Sequence, residues 1–319
     1  MKLSDYVSLN HGDSLLLDYP ENHFDMIYFD PPFNSNRDYK MSDTSDVGFK
    51  DKWNDDDYEK FIESNILKLK SLLKETGTLF FHISSSCMFI PEKVLRGHFK
   101  FVEPIFWKKC RSKNNVKHKL GSVVDIIFKC NMGSKSKFNL VEQDKDEKYL
   151  SSCFKNEDYR GKYSLGHLVT EKTKIGYKYS ITVEGKTFEP VSGWRIKKDK
   201  LELLINDDRV HVPVKKNGNL YKKIYLEENS GKPCTDLWDD IHSISQGNEE
   251  RKYPTAKPIK LLERLIQIST DEGDIVLDPM SGSGVTGEAC DNLKRHCVLN
   301  DLNLDAINII KSRFTKVQE

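Results

Sequence analysis

The sequence predicts an α/β fold: a mostly parallel sheet covered by helices on both faces, interrupted by an irregular, partly β insert. Three observations predict it. Short apolar runs rich in β-formers alternate with segments of helical spacing at both ends of the chain. Two of these runs end in loop-forming Asp-Pro pairs, Asp30-Pro31 and Asp278-Pro279. Between roughly 130 and 235 the alternation stops, and glycines punctuate short β-like pieces.

The elements follow in order. Residues 24–29 are an apolar run stopped by Asp30-Pro31-Pro32, a strand ending in a loop. Over 58–73, apolar residues at Phe61, Ile62, Ile66, Leu69, Leu72 and Leu73 have the spacing of a helix with one buried face. Gly77 precedes a second buried strand at 78–83, and two more are expected at 101–107 and 123–128. Within the insert, acidic residues 142–147 read as an exposed loop, and only 198–205 sustain a helical period. The last third returns to α/β. A helix at 260–268 leads to a strand at 274–277, a glycine loop, a helix at 285–293, a strand at 297–300 and a helix at 304–314. The expected division is 1–130, an insert at 131–235, and 236–319.

Lys and Arg number 50 and Asp and Glu 49, so the chain does not work as a polycation or an acidic tail, although a local basic patch remains open. No apolar run reaches the ~18–20 residues that span a bilayer. Residues 1–6 hold no apolar signal-peptide core, and a cytoplasmic location is expected. The seven cysteines are odd in number and form no CxxC pair, which argues for reduced thiols rather than zinc ribbons or disulfides. His82, His167 and His211 are isolated, and no metal site is expected.

Ser281-Gly282-Ser283-Gly284 lies between a predicted strand and a predicted helix. Glycines there let a ligand approach the backbone N–H groups of the helix start. Asp301, at the end of the following strand, is placed to accept from ribose hydroxyls. A P-loop is excluded because Val285-Thr286 follows Gly284 where Lys is required. The loop favours a nucleoside cofactor but does not separate NAD from S-adenosylmethionine. Asp30-Pro31-Pro32-Phe33 adds a stiff loop, since each proline locks φ and neither donates an N–H. A carboxylate, a fixed carbonyl and an aromatic ring together suit a planar base bearing an amino group.

These residues carry a resemblance. Asp30-Pro31-Pro32-Phe33 resembles the catalytic motif of the DNA amino-methyltransferases, and Asp278-Pro279-Met280-Ser281-Gly282-Ser283-Gly284 resembles their cofactor motif. Thr255-Ala256-Lys257-Pro258 and Gly12-Asp13 resemble two further elements of that family. The order, catalytic loop first and cofactor loop last, resembles the circularly permuted β group. The resemblance implies an S-adenosylmethionine-dependent, Rossmann-like methyltransferase fold with the insert as target-recognition region. It implies Asp30, Pro31, Pro32 and Phe33 as catalytic residues. It implies Asp13, Thr255, Lys257, Asp278, Met280, Ser281, Gly282, Ser283, Gly284 and Asp301 as the cofactor site. Phe33 departs from the commoner Tyr, Met280 from Phe, Val285 from Thr and Ala256 from Gln. None of these removes an indispensable polar group.

The implied reaction is methylation of adenine N6 in double-stranded DNA, with the base flipped out of the helix. N4-cytosine methylation, methylation of an RNA amino group, and a catalytically dead DNA-binding relative are the competing readings. A separate cognate restriction nuclease and a homodimer are compatible with the resemblance. For DNA contact, residues 108–137 hold nine Lys and Arg against Asp125 alone, including Lys108, Lys109, Arg111 and Lys113. Arg160 and Arg195, set among aromatic residues, are the candidates for base-edge contacts.

Overall fold

The computed structural model describes residues 1–39, 49–111, 120–143, 147–215, 218–228, 231–244 and 255–315. The chain forms two compact units, Met1–Val141 with Cys234–Glu319, and Glu142–Pro233.

The first unit is built on an eight-stranded sheet. In chain order its strands are β1 (Val7–His11), β2 (Phe24–Phe29), β3 (Leu73–Ser84), β4 (Phe101–Lys108), β5 (Val124–Asn131), β6 (Leu237–Trp238), β7 (Ile275–Asp278) and β8 (His296–Asp301). Across the sheet they lie β1-β8-β7-β2-β3-β5-β4-β6. β5 runs antiparallel to β3 and β4, and the other pairs are parallel. The central strands β2 and β3 are buried on both faces, hence their near-continuous apolar runs.

Helices close both faces. Helix α1 (Asp55–Leu72) starts where the Asn54 side chain accepts from the Asp57 N–H at 2.8 Å. Asp55, Asp56 and Asp57 sit at its positive end. With α2 (Phe89–His98) it packs Ile62, Ile66, Leu69, Val94 and Leu95 against Phe29, Phe81 and Ile126. Burying each such side chain contributes about 1.5–3 kcal/mol. Helices α3 (Ile259–Ser269), α4 (Val285–Asn292) and α5 (Leu304–Thr315) cover the other face, with Leu265, Ile266, Ala289, Ile307 and Ile310 against Tyr28, Val276 and Leu299. The sheet is thus the expected α/β layer, mostly parallel and covered by helices on both faces.

This topology places the site. From β7 the chain winds through α4 to β8 on one side; from β2 it winds through α1 to β3 on the other. The carboxyl ends of β7 and β2 therefore flank a crevice where loops diverge, the place open α/β sheets bind ligands. Strands β1 and β6, helix α2, the turn Ser14–Leu16 and the strand pair Arg37–Tyr39 and Phe49–Asp51 go beyond the sequence expectation. Residues 131–141 also belong to it: the Asn139 side chain donates to the Gln267 and Thr270 carbonyls.

The second unit carries a four-stranded antiparallel sheet of Val210–His211, Tyr221–Tyr225, Gly161–His167 and Asn156–Asp158. It adds a hairpin, Ile181–Val183 with Lys186–Phe188, and the helix Lys198–Asn206. Leu168, Ile181, Val183, Trp194, Leu201, Val210 and Leu220 make its own core.

Candidate active site

One cavity of about 640 Å³ opens at the carboxyl ends of β2, β7 and β8. Its lining gathers Asp13, Asp30, Pro31, Pro32, Phe33, Thr255, Lys257, Asp278, Met280, Ser281, Gly282, Ser283 and Asp301, which are far apart in sequence. Gly284 stands outside the lining. It starts α4 at φ +74°, and a Cβ there would meet Ile310 Cγ1 at 2.8 Å. Only glycine meets both demands, so its place is packing and turn geometry.

The loop after β2 is held from behind. Tyr58 donates its hydroxyl to the Pro32 carbonyl at 2.9 Å. The buried Asp51 carboxylate accepts from the Asn34 N–H at 2.6 Å and the Ser35 N–H at 3.0 Å. Asp30 Oδ2 pairs with the Lys257 ammonium, while the buried Asp30 Oδ1 has no hydrogen-bond partner among the described residues. Lys257 also sits over the Phe33 ring, 5.6 Å from its centroid. The predicted cofactor residue Lys257 thus rests on the predicted catalytic pair Asp30 and Phe33. Trp53 stacks on Phe61, with centroids 4.9 Å apart, and both line the same end of the cavity.

The loop after β7 is held from within. Asp278 accepts from the Thr286 hydroxyl at 2.5 Å and from the Met280 N–H at 3.3 Å. The Ser281 hydroxyl donates to the Asn300 carbonyl at 3.0 Å. Asn300 in turn donates its amide to the Gly12 and Pro279 carbonyls, clasping two loops together. Asp301 accepts from the Gly282 N–H through one oxygen and from the Asn303 N–H through the other, both at 2.8 Å. Asp13 lies opposite on its own turn, where its side chain accepts from the Leu15 N–H at 2.9 Å.

The electrostatics select the ligand class. Among the described residues the lining holds five carboxylates, those of Asp13, Asp30, Asp51, Asp278 and Asp301, against the single ammonium of Lys257. Burial first, with the Asp30 and Asp301 charges added, pushes Asp278 up to about 7. Burial likewise raises Asp301. Such a cavity repels the diphosphate of NAD or ATP. It suits a nucleoside that carries positive charge and presents hydroxyl and amino donors. Among the described residues no three His, Cys, Asp or Glu side chains gather as metal ligands, and no helix is long and apolar enough to cross a membrane.

The predicted DNA contacts fare differently from one another. Lys109 donates to the buried Asp125 at 2.6 Å and is largely covered. Lys108 closes β4, half-buried, and Arg111 is exposed. Lys113 lies outside the described residues. Lys129 and Lys137 of the same basic segment pair with Glu103 and Asp271. Arg160 pairs with Asp207 at 3.0 Å and lies over the Tyr159 ring. Arg195 donates to the Val169 carbonyl at 3.1 Å and is 3.4 Å from Glu171. The sequence reading gives no site role to Tyr28, Asp51, Trp53, Phe61, His82 or Asn300, yet they line or brace the cavity.

A family model described as DNA methylase, of N6/N4 type, matches residues 24–312. The chain is 26% identical over 295 residues to the type II methyltransferase M.EcaI of Enterobacter cloacae, covering 91% of this chain and 64% of that protein. It is 25% identical over 324 residues to the type III restriction-modification enzyme StyLTI Mod subunit of Salmonella typhimurium, covering 87% of this chain and 48% of that one. The chain thus spans between about half and two thirds of the length of these relatives. Among solved structures, PvuII DNA methyltransferase (cytosine-N4-specific) shares the fold with a TM-score of 0.55 at 13% identity, over 98% of this chain and 92% of that one.

Proposed function

The chain belongs to the DNA methylase family of N6/N4 type, whose cofactor is S-adenosylmethionine, and we propose that it methylates N6 of an adenine flipped out of double-stranded DNA. The observation that carries this reading is Asp30. Among the described residues its buried Oδ1 lacks a partner, beside an aromatic ring, in the same cavity as a glycine loop and four further carboxylates.

The residues present fit the cofactor. Asp301 would accept from ribose hydroxyls, Asp13 would meet the adenine, and Thr255, Asp278, Met280 and the Ser281–Ser283 backbone would hold the remainder. When bound, S-adenosylmethionine supplies an electrophilic methyl group on a sulfonium. Phe33 stacks on the extruded base. Asp30 and the Pro31 carbonyl accept the two amino hydrogens and aim the nitrogen lone pair, and the carboxylate stabilises the positive charge that develops there. Lys257 first yields both the Phe33 face and Asp30 to the base. No covalent intermediate is needed.

Asp at position 30 favours adenine over cytosine, following the family resemblance. The unit Glu142–Pro233 recognises the target, with Arg160 and Arg195 exchanging their acidic partners for DNA. The proposed setting is the cytoplasm, and a homodimer and a separately encoded cognate nuclease are compatible with the family resemblance. The test is methyl transfer from labelled S-adenosylmethionine to unmethylated genomic DNA, with mass spectrometry of the nucleosides. N6-methyladenine is the expected product. N4-methylcytosine overturns the base assignment, and no product on DNA overturns the substrate.

A further inference from the structure

Behind the Phe33 ring lies a buried polar line that the methylation chemistry above does not use. Tyr28, on β2, and Asp30, two residues on in the loop, line the same cavity. The Tyr28 hydroxyl is 2.7 Å from His82 Nδ1, and His82, on β3, is fully buried. His82 Nε2 faces Asp125 Oδ2 at 3.5 Å, a long contact, and makes no shorter hydrogen bond among the described residues. Asp125 is itself buried and salt-bridged to Lys109 at 2.6 Å. The His82 ring lies against Phe33, with centroids 5.9 Å apart.

A line of this kind is costly to bury without a task. Its charges are also ordered. Burial works to raise Asp125, but the imidazole and the Lys109 ammonium outweigh it and hold the carboxyl at about 2. Burial first, then Lys257, lowers His82, so the imidazole is neutral. Burial, with Asp30, Asp278 and Asp125, raises Tyr28, so the phenol keeps its proton. The neutral tautomer that suits an ionised Asp125 carries its proton on Nε2. Nδ1 is then the acceptor, and the Tyr28 hydroxyl donates to it.

We propose that Tyr28 and His82 form the proton exit of the methyl-transfer reaction, a role that rests on the amino-methylation reading of the cavity. Once the amino nitrogen has bonded the methyl group, it is positively charged and must lose one proton. That N–H bond breaks, and its electron pair stays on nitrogen. The Asp30 carboxylate, which holds that hydrogen, takes the proton and hands it to the Tyr28 oxygen as the phenolic proton passes to the lone pair of His82 Nδ1. The imidazolium formed lies between Tyr28 and the Asp125 carboxylate, and Nε2 tightens onto Oδ2. A protonated exocyclic amine is a far stronger acid than an imidazolium, even one with its affinity for protons lowered. The step therefore runs downhill. After product leaves, the proton returns through the Tyr28 hydroxyl to water in the open cavity.

The test is single-turnover methyl transfer to unmethylated genomic DNA by wild type, Tyr28→Phe, His82→Gln and the double variant, in H2O and D2O. Tyr28→Phe keeps the ring and its packing, so it reports even where His82→Gln fails to fold. We expect each single variant to be slower by about a hundredfold, with S-adenosylmethionine affinity unchanged by calorimetry. We expect the double variant to be no slower than the slower single one. The wild-type rate should fall at acid pH, below the ordinary histidine range, as His82 charges among Asp125, Lys109, Tyr28, Asp30 and Lys257. His82→Gln should lose that limb. A Tyr28→Phe enzyme with wild-type rate and solvent isotope effect overturns the relay, as do single effects that multiply. A wild type that methylates nothing overturns the function reading instead.

Discussion

The two loops that meet in the cavity are built on opposite plans. The loop after β2 is stiffened by prolines and braced from outside by Tyr58 and Asp51, which leaves one Asp30 oxygen unpartnered. The loop after β7 is permissive in sequence, and it occupies its own side-chain acceptors: Asp278 with Thr286, Asp301 with Gly282 and Asn303. The first holds a reactive side chain at the ready. The second uses its side chains to fix a backbone surface. The contrast implies that substitutions after β2 damage chemistry before binding, and substitutions after β7 damage stability and binding before chemistry.

The sharpest test of that contrast is Asp30→Ala. Methyl transfer should fall by about two to three orders of magnitude or more, while S-adenosylmethionine affinity stays within a few-fold of wild type. Retained turnover would break the assignment of the β2 loop to chemistry. Gly284→Val is the counterpart after β7. It forces a β-branched residue to φ +74° and drives Cβ toward Ile310. We expect a loss of roughly 1–3 kcal/mol of stability, read from denaturant unfolding, with a wild-type chemical rate in the fraction that stays folded. A variant as stable as wild type would refute the packing role. Arg195→Ala tests the second unit at smaller cost. It should leave cofactor binding alone and flatten discrimination between DNA sequences by about 1–3 kcal/mol; unchanged discrimination would remove Arg195 from recognition.

The same contrast explains what the sequence made legible. Both loops are contiguous motifs, so Asp30–Phe33 and Ser281–Ser283 could be read directly, and periodicity alone marked β2, β3, β7 and α3. The bracing residues could not be read that way. Tyr28 and His82 are 54 positions apart and meet only because β3 pairs with β2. His82 therefore looked isolated. The basic segment shows the same limit: Lys129 and Lys137 pair with Glu103 and Asp271, which lie outside it and which no window of charge can count. β1 has only Val7 and Leu9 turned inward, too short an alternation to stand out. α2 hides its period behind Pro91 and Gly97 within ten residues.

The smallest predicted effect is a pH dependence, and it tests the β7 loop alone. Asp278 is pushed up to about 7 in the folded protein by burial and by Asp30 and Asp301, against an ordinary value of 3.8. The folded state therefore holds a proton that the unfolded chain releases above about pH 4. By linkage, the stability this group contributes is fully present below the unfolded value and is lost as pH rises through 7. The cofactor-free protein should gain thermal stability through Asp278 as pH falls from 8 to 6, and Asp278→Asn should lack that gain. His82, whose affinity for protons burial lowers, opposes it over part of the same range, so the difference between wild type and variant is the quantity to measure. Each kcal/mol in that difference moves the midpoint by about 2–4 °C. A cationic cofactor in the cavity favours the ionised carboxylate, so saturating S-adenosylmethionine should shrink the difference. Wild-type and variant melting curves that track each other at every pH would mean that Asp278 is ionised in the free protein and that the loop after β7 holds no stored proton.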